Sequence, residues 1–117
     1  MIVTVSAEFH PRHGGLAVPL EIDNTFTLTM LISGFPRSVV SSDVVTALPA
    51  FLRQTTPGRY AVRRATLGGQ PIVDLEVGVS SQIRRLNAQG AFGLDFLRRF
   101  TDINLNIPTT TLTFVSP

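Results

Sequence analysis

The residues able to do chemistry are few, and most sit where structure alone would put them. Asp23 falls in a turn, Asp43 at the start of a short helix, Asp74 in a strand, and Asp95 and Asp102 flank a second helix. His10 and His13 share a loop with no third ligand at a metal-binding spacing, so they read as exposed loop histidines, not a metal pair or a general base. Ser33 has no neighbouring base to activate it, which argues against a nucleophile. There is no cysteine, hence no disulfide framework and no thiolate chemistry. All ten basic residues are arginine, yet the formal net charge is only +2. The pairs Arg63-Arg64, Arg84-Arg85 and Arg98-Arg99 are separated by stretches that carry carboxylates. Nucleic-acid binding would want a denser basic face with interleaved aromatics, so no nucleic-acid partner is expected.

The elements that must position these groups are mostly strands. With 44% hydrophobic and 15% charged residues, the 117 residues read as one globular domain spanning 1–117. No apolar run approaches the roughly 20 residues of a membrane span, and Met1–Val5 lacks a signal-peptide pattern, so no membrane partner is expected. Together with the missing cysteines this suggests a cytoplasmic location. Met1–Phe9 alternates and is β-branched; Val18–Ile22 and Thr25–Ile32 flank Asp23-Asn24, a dipeptide suited to a tight hairpin. Ser42-Asp43 is placed to cap a short helix running to Leu48. Pro49 to Gly58 reads as a connection. Tyr60–Leu67 and Pro71–Val79 read as arms of a long hairpin turning at Gly68-Gly69-Gln70, and Ser80–Gln89 as polar and irregular. Asp95–Phe100 carries the clearest helical spacing, with Asp95 as its N-cap and Arg98-Arg99 suited to its C-terminal end. Ile103–Ile107 and Thr110–Val115 complete about eight strands, an all-β barrel or sandwich.

Two segments say more than periodicity. Phe26 to Ser41 reads Phe-Thr-Leu-Thr-Met-Leu-Ile-Ser-Gly-Phe-Pro-Arg-Ser-Val-Val-Ser, and Gly90 to Phe100 reads Gly-Ala-Phe-Gly-Leu-Asp-Phe-Leu-Arg-Arg-Phe. In this order, with a Gly-Gly hairpin between them, they resemble the two signature segments of a retropepsin-like aspartic protease subunit. The resemblance runs from Val18 to Phe114. It implies a mainly β, closed acid-protease-like barrel with one short C-terminal helix. It implies a peptide-binding flap at Leu67, Gly68 and Gly69, and a loop–helix support at Phe92, Gly93 and Asp95. It also implies a dimer, in which Ser33 would bond across the interface and Met1–Phe9 and Thr110–Val115 could interleave.

Ile32, Ser33 and Gly34 are the catalytic-loop equivalents, and here the sequence departs from the family. Ile32 stands where the catalytic aspartate would be, and Phe35 fills the following small position. The family chemistry needs one carboxylate from each subunit, sharing a proton and activating water. Isoleucine has no titratable group, and none of the five aspartates precedes Thr/Ser-Gly. The expectation is therefore a catalytically inactive homodimeric domain, structural or peptide-binding, with no catalytic residue, cofactor or metal. Its partner would be a second copy, with an extended peptide as a further ligand. The alternatives are an endopeptidase subunit needing a homologous, Asp-bearing partner, and a scaffold or assembly module.

Overall fold

The computed structural model describes residues 2–9 and 15–116; His10 and His13 lie outside them. The alternation at the start of the chain becomes β1 (Ile2–Ser6), with Val3 and Val5 buried and Ile2, Thr4 and Ser6 exposed. The short β2 (Glu8–Phe9) lies against β3 (Leu16–Ile22), which pairs antiparallel with β4 (Thr25–Leu31) from Ala17↔Met30 to Ile22↔Thr25. Between them Asp23 and Asn24 take φ of 47° and 67°, the left-handed pair that matches a two-residue hairpin to strand twist. Thr27 and Thr29 point inward from β4, and Thr27 Oγ1 offsets its burial by donating to the Leu20 carbonyl at 2.9 Å.

After β5 (Val39–Val40) comes α1 (Ser42–Ala47), whose N-cap is Ser41, with no side-chain capping bond. The stretch expected to be a bare connection instead holds β6 (Leu52–Thr56), paired with β7 (Arg59–Val62) through a turn in which Gly58 has φ 77°. Its sequence gave no alternating signal because only Leu52 is buried; Arg53 to Thr56 are all exposed. The two arms expected of one long hairpin are each broken in two. Arg64 at φ 56° separates β7 from β8 (Ala65–Leu67), and Asp74 at φ 54° separates β9 (Gln70–Ile72) from β10 (Glu76–Val79). The halves then part: β8 pairs with β3, while β10 pairs with β7 and β5. Arg99 holds the second break, its guanidinium donating to the carbonyls of Val73 and Asp74.

The Ser80–Gln89 stretch contains a one-turn helix, α2 (Gln82–Arg85), followed by β11 (Gly90–Phe92). The last helix, α3 (Leu94–Leu97), is shorter than its sequence spacing suggests, and its N-cap is Gly93, so Asp95 lies inside the first turn. β12 (Asp102–Asn106) and β13 (Thr111–Val115) end the chain as a hairpin.

The larger sheet runs β6-β7-β10-β5-β11-β4-β3-β8-β9, with β2 on β3; the smaller runs β1-β13-β12. The larger sheet curls as a half-barrel whose end strands, β6 and β9, are not paired with each other, where a closed barrel was expected. Between the sheets lies the main core, including Val18, Leu20, Ile22, Leu67, Leu112 and Phe114. Phe92 stacks on Phe96 at 3.9 Å, Phe96 meets Phe100 at 5.3 Å, and Phe100 meets Phe114 at 5.0 Å. That column ties β11, α3 and the small sheet into one body. A second apolar cluster, Ala17, Met30, Ile83, Ala88 and Ala91, is walled by α2. Among the described residues no helix is long and apolar enough to cross a membrane.

Candidate functional site

The site is built from a crossing shaped like the letter ψ. The chain leaves along β4, turns through Ser33 to Arg37, and returns as β5. β11 lies between the two, parallel to β4 and antiparallel to β5. β4 alternates threonine with apolar residues, β5 is Val39-Val40, and β11 is Gly90-Ala91-Phe92, where Gly90 lets β5 come close: a Cβ there would sit 3.1 Å from the Val39 carbonyl oxygen.

Backbone bonds close the turn. Ile32 N–H donates to the Phe92 carbonyl at 3.0 Å, and Phe35 N–H to the Ile32 carbonyl at 3.2 Å. The start of α3 docks onto the same turn, Leu94 N–H donating to the Phe35 carbonyl at 2.8 Å and Asp95 N–H to the Pro36 carbonyl at 3.2 Å. Gly93 has an ordinary extended backbone, φ −95° and ψ −168°, so its glycine serves space and not conformation. A Cβ there would lie 2.6 Å from the Phe35 carbonyl oxygen and 2.7 Å from the Arg37 carbonyl carbon and oxygen.

The polar centre of the crossing is Ser38, fully buried. Its hydroxyl accepts from Gly93 N–H at 3.0 Å and donates to Asp95 Oδ1 at 2.7 Å. Asp95 Oδ1 also accepts from the N–H groups of Ser38 and Phe96, at 2.9 and 2.8 Å. The role expected of Asp95 is thus corrected: it does not cap α3 but fastens that helix to the strand-loop before β5. An oxygen accepting three such bonds is a structural acceptor, with its lone pairs committed.

Of the residues singled out in the sequence, Ile32, Ser33, Gly34, Phe92, Gly93 and Asp95 thus meet in one crossing. Ser33 and Gly34 are exposed. Ile32 is half-buried, and with Phe35 and Val39 it packs against the second apolar cluster. The side chain at position 32 therefore extends an apolar surface and offers neither acid nor base. Among the described residues no group of three or more His, Cys, Asp or Glu could hold a metal.

Leu67, Gly68 and Gly69 lie elsewhere. Leu67 is fully buried in the main core, and a Cβ on Gly68 would sit 2.8 Å from the Thr4 carbonyl oxygen and 3.0 Å from Val3 Cγ1. The Gly68-Gly69 tip is therefore seated on β1, against the small sheet, which departs from the free flap expected of it. Arg64 and Asp74, both left-handed, break the two arms on either side of the tip. The hairpin neighbouring the Ile32 loop is β6–β7. Its Arg53–Gly58 segment is exposed, and β7 reaches β5 through β10. Arg59 of this hairpin, together with Phe35, Pro36, Arg37, Val39 and Ser80, lines an open cavity of about 320 Å³. Pro57-Gly58 is a turn dipeptide, but the polar stretch before it shows no strand period, so the sequence alone reads only a connection there.

No family model matches the chain, and no curated protein matches its sequence. Solved structures do. A retropepsin-like aspartic protease from Rickettsia conorii superposes with a TM-score of 0.65 at 12% identity, covering 97% of this chain and 89% of that one. The retroviral protease-like domain of Ddi1 from Leishmania major superposes at 0.60 with 17% identity, covering 88% and 96%. The fold is that of retropepsin-like proteases, over nearly the whole length of each. At such identities the likeness is one of fold alone.

Proposed function

We propose that this chain is a retropepsin-like domain without proteolytic chemistry of its own, which dimerises through the Ile32 loop and holds extended peptide. The observation that carries the reading is Ile32, half-buried against the second apolar cluster at the head of the ψ-shaped crossing, where the resemblance calls for an ionisable carboxylate. The carboxylate that does enter the crossing, Asp95, is occupied by Ser38 and Phe96. A two-fold pairing would set Ile32 against its mate, an apolar seam in place of a dyad. The exposed Ser33-Gly34 turn supports such a contact. In this proposal the β6–β7 hairpin is the flap, offering backbone hydrogen bonds to a strand laid over the Phe35–Val39 segment.

The test incubates the purified chain with a library of extended peptides at acid and neutral pH and reads cleavage by mass spectrometry. No cleavage is expected, and Ile32→Asp with Phe35→Ala is expected to gain a weak activity sensitive to a statine-type inhibitor. Inhibitor-sensitive cleavage by the unmodified chain refutes the proposal. Sedimentation velocity checks the dimer independently, and a monomer at every concentration removes that part.

A further inference from the structure

The cavity beside the Ile32 loop has a charge pattern that the proposed function does not use. Its walls are apolar, from Phe35, Pro36 and Val39, but two arginines stand over it. Arg59 is mostly buried and gives its Nε–H to Glu76 at 2.7 Å. That single bond leaves the terminal nitrogens of the guanidinium, and Nη1 lies along buried Gly78, where a Cβ would be 3.6 Å away. Gly78, paired with both Arg59 and Val39, puts no side chain between them. Arg37, also lining the cavity, is exposed and has no carboxylate partner among the described residues. The three ion pairs of the described residues engage Arg59, Arg64 and Arg84, each with one carboxylate. Counting Glu76, the cavity rim carries two positive charges against one negative.

A planar guanidinium with free donors beside an apolar wall is matched to a carboxylate presented between apolar side chains. From this complementarity we infer that the groove selects extended peptides with an acidic side chain flanked by apolar residues, the carboxylate meeting Arg37 and the unused edge of Arg59. The inference rests on the peptide-binding reading above and names the peptide class. An extended ligand suits the place, since the cavity is open and runs from the Phe35–Arg37 turn to Arg59, beside the exposed tip of the β6–β7 hairpin.

The experiment uses two labelled peptides, one with glutamate between valines and its glutamine twin, titrated with the protein by fluorescence anisotropy. The glutamate peptide is expected to bind about five-fold tighter at low salt, the range of a partly exposed ion pair, with the gap closing near about 1 M salt. Arg37→Gln, a change at an exposed side chain, is expected to erase the gap by weakening binding of the glutamate peptide. Equal binding of the two peptides by the unmodified chain overturns the inference and leaves the peptide-binding reading standing. A gap that survives Arg37→Gln, or inorganic phosphate competing as well as the glutamate peptide does, also overturns it. Binding of neither peptide refutes both readings together.

Discussion

Gly93→Ala tests the crossing on which the site depends. The added methyl meets only backbone: the Phe35 carbonyl oxygen at 2.6 Å and the Arg37 carbonyl carbon and oxygen at 2.7 Å. No flexible side chain can move aside. Restoring ordinary contact requires the turn after Ile32 to withdraw from α3 by roughly 0.8 Å. The Leu94-to-Phe35 hydrogen bond, at 2.8 Å, would then be stretched beyond useful length, and the Gly93-to-Ser38 bond at 3.0 Å would suffer likewise. Overpacking costs about 1–3 kcal/mol and two weakened hydrogen bonds cost about 1–2 kcal/mol. Against that, alanine accepts φ −95° without strain, and its stiffer unfolded chain returns about 0.4–1 kcal/mol. The net loss is about 1–5 kcal/mol, centred near 3, a large share of a small domain's stability. Urea unfolding followed by far-UV circular dichroism, at one fixed protein concentration, should show the midpoint falling by about 2 M with the slope unchanged. A midpoint within about 0.3 M of the parent would refute the close packing of β11, the Ile32 turn and α3.

Asp95→Ala should cost about 2–3 kcal/mol by orphaning three donors, whereas Asp95→Asn, which keeps an acceptor at Oδ1, should cost under about half of that; equal losses would mean that the Ser38 contacts contribute little. Gly68→Ala should destabilise by about 1–3 kcal/mol, from φ 57° and the clash with Thr4, while Gly69→Ala, at φ 82° but facing open space, should cost only about 1 kcal/mol. Indistinguishable thermal midpoints for these two would show that the tip is not seated on β1. Arg99→Ala should lose about 1–2 kcal/mol and raise amide exchange around Val73 and Asp74, whose carbonyls it holds; unchanged exchange there would contradict the lock. Ile32→Asp should fold, at a cost of about 1–3 kcal/mol from setting a carboxylate among apolar neighbours, and complete unfolding would mean that residue 32 belongs to the essential core.

Legibility followed from whether local chemistry or tertiary contact decides each element. The β3–β4 hairpin could be read because Asp23-Asn24 states its turn type outright. β13 could be read because Leu112 and Phe114 alternate inward. β6 could not, since an exposed polar edge strand has no apolar period to display. Nor could the breaks at Arg64 and Asp74, because left-handed arginine and aspartate are chosen by their surroundings: the Arg64 carbonyl accepts from Asp23 N–H at 3.1 Å, and Arg99 holds Asp74. Asp95 carried a signal with two meanings. An acid in the first turn of a helix suits the dipole, but its reach to Ser38, 57 residues earlier, is invisible along the chain. For the same reason the Ile32 and Gly93 segments were legible as a pair only through resemblance, while the site's second half, the β6–β7 hairpin with Arg59, emerged only from the fold.

The bonds that hold the crossing explain how this fold can dispense with a carboxylate at its head. Residue 32 contributes its N–H to Phe92 and its carbonyl to Phe35, both backbone groups that any residue supplies. The polar centre is Ser38, Gly93 N–H and Asp95, and none of it calls on the side chain at 32. That side chain is thus free to follow its surroundings. Those surroundings are apolar: Ile32 packs against the cluster of Ala17, Met30, Ile83, Ala88 and Ala91. An ionised group there would be partly desolvated with no partner, whereas isoleucine buries surface at about 25 cal/mol per Å². Fold and chemistry are therefore separable at this position. The crossing is held by the same bonds whatever side chain residue 32 carries.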